Sequence, residues 1–302
     1  MSELEEMMGR KPREDLDYSD SQTKPKKKRQ RKPKASDRPE KGEMVKKEDR
    51  WEESKSEYPK WEAPKTSDSF VLSDQWNRKE DWGRKESWDW THFFTLPLNF
   101  SAFQGQFENF ISTVNATFGT EYKDNFQGVC IVHLSLVQMK LNATRRERLR
   151  ETMPKIHKKI VERFGGQTNR FDFNGLGMFS FGSGAGILYL DIQNNEFVDR
   201  LNLFLNDLCE ILLADGVIDS SDLRTSHIEK KNGVYTMGQY HVTLMKSSFA
   251  KGPKKVNKDL KPVLEKLKNF QWDSVDVQTI DVSIRGEYTA DKYYLPLQSF
   301  KL

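Results

Sequence analysis

The stretches IVHLSLVQMK, Ile131–Lys140, and GQYHVTLMKS, Gly238–Ser247, share one order: a histidine, an apolar residue, a small hydroxyl residue and a leucine, with a Met-Lys pair shortly downstream. Side chains alternate across a β-strand, so residues two apart share a face. Read as strands, the first points His133 and Ser135 one way and Leu134 and Leu136 into an apolar interior. The second does the same with His241 and Thr243 against Val242 and Leu244. Each strand presents one imidazole beside one hydroxyl.

That pairing suits phosphate chemistry. An imidazole titrating near neutrality can take a proton from an attacking water or ribose hydroxyl, and a second one opposite can give a proton to the leaving oxygen. Hydroxyls can donate to the non-bridging phosphate oxygens, where negative charge must be held in the transition state. No metal or other cofactor enters this scheme. The remaining histidines, His92, His157 and His227, lack the pattern and are assigned no chemistry.

Outward from these strands the chain reads as an alternation of short elements. THFFTLPLNF is a buried strand, and FQGQFENFISTVNATFG carries Phe103, Phe107, Phe110, Ile111 and Val114 at helical spacing. TRRERLRETMPKIHKKIVERFGG is a helix stopped by glycines, RFDFNGLGMFSF and AGILYLDI are strands, and NEFVDRLNLFLNDLCEILLADG is an amphipathic helix. A polar loop leads to the second histidine strand. NKDLKPVLEKLKNF is then a helix, with VDVQTIDVSIRG and KYYLPLQSF as closing strands. The order predicts an α+β domain over residues 89–302, made of two similar lobes that each carry one histidine strand.

Residues 1–88 read differently. Trp51, Trp61, Trp76, Trp82, Trp88 and Trp90 all precede Thr91, whereas most Leu, Ile and Val follow it. This region is dominated by charged residues, Ser and Pro, and cannot bury enough surface to offset ordering entropy, so disorder is expected. KPKKKRQRKPK, Lys24–Lys34, holds eight basic residues and no acid. It fits a nuclear-import signal read by an import receptor, a nucleic-acid patch, or a merely solvated tail. WNRKED, WGRKES and WDW repeat Trp76, Trp82 and Trp88 every six residues. Such tryptophans can stack on single-stranded bases, or dock on a protein partner or on the domain behind them; the docking class is favoured.

The formal net charge is only +4, so local clustering matters more than overall charge. No N-terminal segment has the apolar middle of a signal peptide, and no stretch approaches the roughly 20 apolar residues that cross a bilayer. The expectation is a soluble, intracellular protein, nuclear if the basic run acts, with reduced and buried Cys130 and Cys209. Two cysteines are too few for a thiolate zinc finger, and no Cys/His pair has ligand spacing.

The paired motifs in this α+β order resemble the two-histidine (2H) phosphoesterases, which include the LigT-like RNA ligases and cyclic phosphodiesterases. The wider pattern THFFTLPLN, VHLSL, GILYLDI, YHVTLM and YY is most similar to the branch of the A-kinase anchoring protein central domain and of the KH-containing subunit of the activating signal cointegrator complex. The resemblance covers Thr91 to Leu302. It implies a bilobal fold whose antiparallel sheets flank a V-shaped cleft, with His133 and His241 as the catalytic pair and Ser135 and Thr243 binding phosphate. It also implies substrates that are RNA ends or nucleotides with 2′,3′-cyclic or 2′,5′ linkages. No KH-like GxxG segment precedes the domain, and the sequence ends after a strand without an amphipathic anchoring helix, so neither role is carried over.

Residues outside the motifs are weaker candidates. Tyr293 and Tyr294 near the closing strands are candidates for stacking on a base, as is Arg285. Lys246 and Tyr240 are an odd number of residues from His241 and nominally face away from it, unless a bulge intervenes. Two rivals to the enzyme remain open: a module that binds nucleotides or RNA ends with little or no turnover in a nuclear RNA-processing or coactivator assembly, and a scaffold whose tail carries the function.

Overall fold

The fold is organised by the sheet on which the two histidine strands become neighbours. A computed structural model describes residues 70–78, 88–181, 185–249 and 257–302. The basic run Lys24–Lys34, Trp82 and the disorder expected up to residue 69 lie outside them. The strands are β1 (His92–Pro97), β2 (His133–Met139), β3 (Arg170–Phe171), β4 (Phe173–Phe181), β5 (Ala185–Ile192), β6 (Ile228–Lys231), β7 (Val234–Met237), β8 (His241–Lys246), β9 (Val275–Asp276), β10 (Thr279–Tyr288) and β11 (Tyr294–Lys301). The helices are α1 (Ser101–Phe118), α2 (Ala143–Phe164), α3 (Glu196–Ala214), α4 (Ser220–Thr225) and α5 (Lys261–Leu267). None is long and apolar enough to cross a membrane.

Seven strands form one sheet in the order β11-β10-β1-β2-β8-β5-β4, every neighbouring pair antiparallel. The two expected half-sheets are therefore joined, but only just. A single ladder pair, Leu134 with Val242, connects β2 to β8. Further along, β8 pairs instead with the segment before β2: Gln127 N donates to Leu244 O at 2.7 Å and Lys246 N to Asn125 O at 2.9 Å. The two central strands part after their first residues.

The apolar sides of both histidine strands are buried as their alternation requires: Leu134, Val242 and Leu244 are fully buried and Leu136 nearly so. Helix α1 has Phe103, Phe107, Phe110 and Val114 inside. The helices do not stay with the strands they follow in sequence. Although α1 leaves β1, its Phe103 meets Phe173 of β4 and its Phe110 meets Phe270 and Trp272. Helix α2 packs on α3, where Phe164 touches Phe204 and Thr152 donates to Asp215, and its His157 reaches Phe300 of β11. Each lobe keeps one histidine strand, but the lobes are interwoven rather than consecutive.

Two segments differ from the sequence reading. The polar loop before β8 contains α4, closed by an Asp219/Asp222 capping box, and a β6–β7 hairpin. Asn232 and Gly233 form its turn with φ of 52° and 84°, the backbone that an Asn-Gly pair adopts most readily. Upstream, residues 70–78 belong to the domain, ahead of the expected boundary at 88. Trp76 is only 5% exposed, its Nε1 donating to Gln298 Oε1 at 3.2 Å and Arg146 lying over its ring. Phe70 stacks on Phe300, and Arg78 pairs with Glu287 at 3.0 Å. Trp76 is thus buried by its own domain rather than offered to a partner. Cys209 is buried, and burial pushes its thiol up to about 12; Cys130 is only partly covered.

On the sheet face that carries the histidines, but buried, Thr95 Oγ1 meets Tyr293 Oη at 3.2 Å and Ser283 Oγ at 3.3 Å. Asp281, 5% exposed and with Oδ1 lacking a hydrogen-bond partner among the described residues, lies at the same end of β10. Burial pushes its carboxyl up to about 6, against opposing bonds from Ser299 and Thr279. A carboxyl whose folded pKa lies above its unfolded one loses stability as pH rises between the two, here from about 4 to about 6. Asp281→Asn keeps the shape without the charge. It is expected to raise the melting temperature at pH 8, by roughly 2–3 kcal/mol of stability, and to leave it unchanged at pH 4. Thermal denaturation at both pH values checks this; equal shifts would contradict it.

Candidate functional site

Both histidines sit at the first residue of their strands, and the same local bond fixes both rings. His133 Nδ1 lies 2.8 Å from Ile131 O and His241 Nδ1 lies 3.2 Å from Gln239 O, in each case the carbonyl two residues earlier. A carbonyl can only accept, so Nδ1 carries the proton and Nε2 is the atom left for chemistry. At His133 that nitrogen is 3.0 Å from Ser135 Oγ, which donates to it when the ring is neutral.

The sheet brings the motifs together. With Leu134 opposite Val242 in an antiparallel pair, stepping one residue each way sets His133 opposite Thr243 and Ser135 opposite His241 on the other face. The imidazoles then occupy one diagonal of a rectangle and the hydroxyls the other. Diagonal neighbours stand roughly 7–8 Å apart, a span that a phosphate bridges. All four predicted residues are half-buried, neither sunk in the core nor free in solvent.

Each ring is framed by two aromatic residues. His133 packs against Phe93 and the edge of Tyr294, both at 5.4 Å between centroids. His241 packs against Phe179 at 4.9 Å and Tyr189 at 5.4 Å. Burial lowers the His133 imidazole to about 4; the Ile131 bond opposes this, and the charges of Lys246 and His241 add to it. His241 is lowered for the same first reason, with Lys246 and His227 adding. Both rings are therefore held neutral around pH 7.

Lys246 points into the site because β2 and β8 carry matching bulges. Adjacent buried residues, Leu136–Val137 and Leu244–Met245, interrupt the alternation, and the ladders to β1 and β5 shift register there. A bulge reverses the facing of everything beyond it, so Gln138 and Lys246 return to the cleft side. Tyr240, as expected, faces away, 8% exposed in the core.

The two candidate stacking residues separate. Tyr293 is 5% exposed with its hydroxyl on Thr95, so it is a packing residue and not a base platform. Tyr294 lies beside His133 and stacks on the exposed ring of Tyr288 at 5.4 Å. Burial pushes the Tyr294 phenol up to about 12. Sequence reasoning missed Phe93, Phe179 and Tyr189, which come from three other strands. One signal existed: a Cβ on Gly177 would stand 2.5 Å from the Tyr189 ring, so GLGMF in β4 leaves room for that ring.

A family described as AKAP7 2′5′ RNA ligase-like domain matches residues 90–302. No curated protein matches the chain. Among solved structures, Escherichia coli LigT in apo form is 14% identical, covering 70% of this chain and 97% of that one at a TM-score of 0.41. LigT complexed with 3′-AMP is 14% identical over 70% and 98%, with a TM-score of 0.42. Kluyveromyces marxianus Usb1 with uridine monophosphate is 14% identical over 70% and 98%, with a TM-score of 0.40. With two H-Φ-[ST]-Φ strands meeting on one sheet face and a family match running from Trp90 to the last residue, the chain belongs to the AKAP7 2′5′ RNA ligase-like domain family, within the two-histidine phosphoesterases.

Proposed function

We propose that the protein is a metal-independent RNA or nucleotide phosphodiesterase acting on 2′,3′-cyclic phosphates or 2′,5′-linked substrates by two-histidine acid-base catalysis. The observation that carries this reading is the rectangle of His133, Thr243, His241 and Ser135, with both Nδ1 atoms tied to backbone carbonyls. The 2′,5′ element rests on the family's description.

His133 is the base in this reading. Burial keeps the ring neutral, and once the Ser135 hydroxyl turns from Nε2 to a non-bridging phosphate oxygen the freed lone pair accepts the proton of a water, or of the neighbouring ribose hydroxyl, as that oxygen bonds to phosphorus. The opposite P–O bond breaks and the leaving oxygen takes a proton from His241 Nε2. Ser135 and Thr243 donate to the non-bridging oxygens. A bound phosphate anion favours protonated His241, which restores the acid in the complex.

A pH profile tests the assignment. Activity should rise as His133 loses its proton near pH 4 and fall as free His241 loses its own, below the ordinary 6.5. For kcat/KM, which reports the free enzyme, the maximum is expected between about pH 4 and 6.5, with the kcat maximum displaced upward. Initial rates on a 2′,3′-cyclic nucleotide from pH 3.5 to 9 measure both. A kcat/KM that climbs steadily from pH 6 to 9 would overturn it.

A further inference from the structure

Two cations at the cleft are not used by the acid-base scheme. Lys246 is turned inward by the β8 bulge and is half-buried. Arg285 lies two residues beyond Ser283, whose partner on β1 is Phe93, and so keeps to the face that carries Phe93 and His133. Its guanidinium is clamped: Nη1 donates to Trp90 O at 3.2 Å, and Cζ lies 4.3 Å from the Trp90 ring and 5.0 Å from the Trp88 ring. Trp88 can come this close because residue 286 is glycine, with φ +74°; a Cβ there would stand 2.7 Å from the indole. Of the repeated tryptophans, Trp88 therefore serves the domain's own arginine.

Neither cation has a carboxylate partner among the described residues. Both project from the face of the sheet that carries the histidines, Arg285 from β10 and Lys246 from β8. Burial lowers the Lys246 ammonium and the charge of Arg285 lowers it further, while the charge of Lys246 reaches both histidines and that of Arg285 reaches Tyr294. Two like charges on one face and partly out of water, Arg285 between two indoles and Lys246 with its Nζ 5.4 Å from the Phe249 ring, favour an anion beside them. The scissile phosphate already has two imidazoles and two hydroxyls.

We infer that Lys246 and Arg285 form a second anion subsite, which holds the phosphate flanking the one that reacts, so that the substrate is an oligonucleotide end rather than a lone mononucleotide. This rests on the phosphodiesterase reading. Arginine and lysine divide the work as their shapes allow: the clamped, planar guanidinium fixes position and the ammonium adds charge.

Binding separates the two claims. Full-length protein is titrated with a deoxydinucleotide bearing a 3′-phosphate, whose internal linkage is either the natural charged one or an uncharged methylphosphonate, and with a mononucleotide 3′-phosphate. The charged dinucleotide is expected to bind about tenfold more tightly than the neutral one, the scale of one charge-assisted contact. Lys246→Met and Arg285→Met should each remove most of that preference, and Arg285→Met, whose charge does not bear on either histidine, should shift mononucleotide affinity by less than about threefold. Trp88→Ala, which leaves both cations in place, should weaken the preference in part. Equal binding of the two dinucleotides by the wild type, or a preference that survives in both methionine variants, would overturn the subsite while leaving the cleft reading intact. If the mononucleotide also fails to bind, the phosphate-cleft reading falls with it.

Discussion

His241→Ala is expected to slow hydrolysis of a 2′,3′-cyclic phosphate by about 10²- to 10⁴-fold, the range for one positioned proton donor or acceptor. His133→Ala should cost as much. The two losses are expected to be non-additive, because a single displacement uses both rings and the second removal finds little concerted catalysis left. Leaving-group chemistry then tells them apart. A 4-nitrophenyl diester expels a stable anion that needs no proton, so His241→Ala should recover most of the wild-type rate on it and His133→Ala should not. Recovery by His133→Ala instead would exchange the roles assigned from their burial and hydrogen bonds.

Phe93→Ala should show how far catalysis depends on the aromatic frame. Phe93 is fully buried and touches Trp90 at 4.9 Å, Tyr294 at 5.0 Å and His133 at 5.4 Å. Removing the ring opens a cavity under all three and is expected to cost about 3–5 kcal/mol of stability. Phe107→Ala in α1 is the control, equally buried but with no aromatic contact to either histidine among the described residues. It should cost a similar amount on unfolding. Of the two, only Phe93→Ala should lower kcat at a temperature where both remain folded. Urea denaturation with kinetics on the same samples decides this, and equal kcat values would show that Phe93 supports the fold alone.

The histidine strands were legible because two rules agreed at one place. Period-two alternation put His133 with Ser135 and His241 with Thr243, and apolar flanks put the strands in a core. Their internal repeat extended further than it could be read. LSLVQ and VTLMK both hide a bulge, because Leu-Val and Leu-Met side by side look like ordinary core, and only the sheet shows that each pair shifts register. Lys246 consequently seemed to face away and in fact faces in. At Tyr293 and Tyr294 parity does not apply: Tyr293 precedes β11, the two rings lie 5.7 Å apart, and only contacts distant in sequence seal Tyr293 against Thr95 and set Tyr294 beside His133. The crossing of α1 to the β4 side and the aromatic frames depend on partners far apart in sequence, which periodicity does not encode. The Asn232–Gly233 hairpin, by contrast, carried its turn signal in plain view.

The central claim is that the two bulged strands make one phosphodiesterase site that works without a metal. The most direct test is incubation of the protein, with a chelator present, with 2′,3′-cyclic nucleotides, cyclic-phosphate-ended RNA and 2′,5′-linked oligonucleotides, beside the His133→Ala/His241→Ala variant. Turnover of at least one linkage by the wild type, and none by the variant, is the result expected. Turnover that persists in the variant, or that appears only when a metal is restored, would contradict the claim.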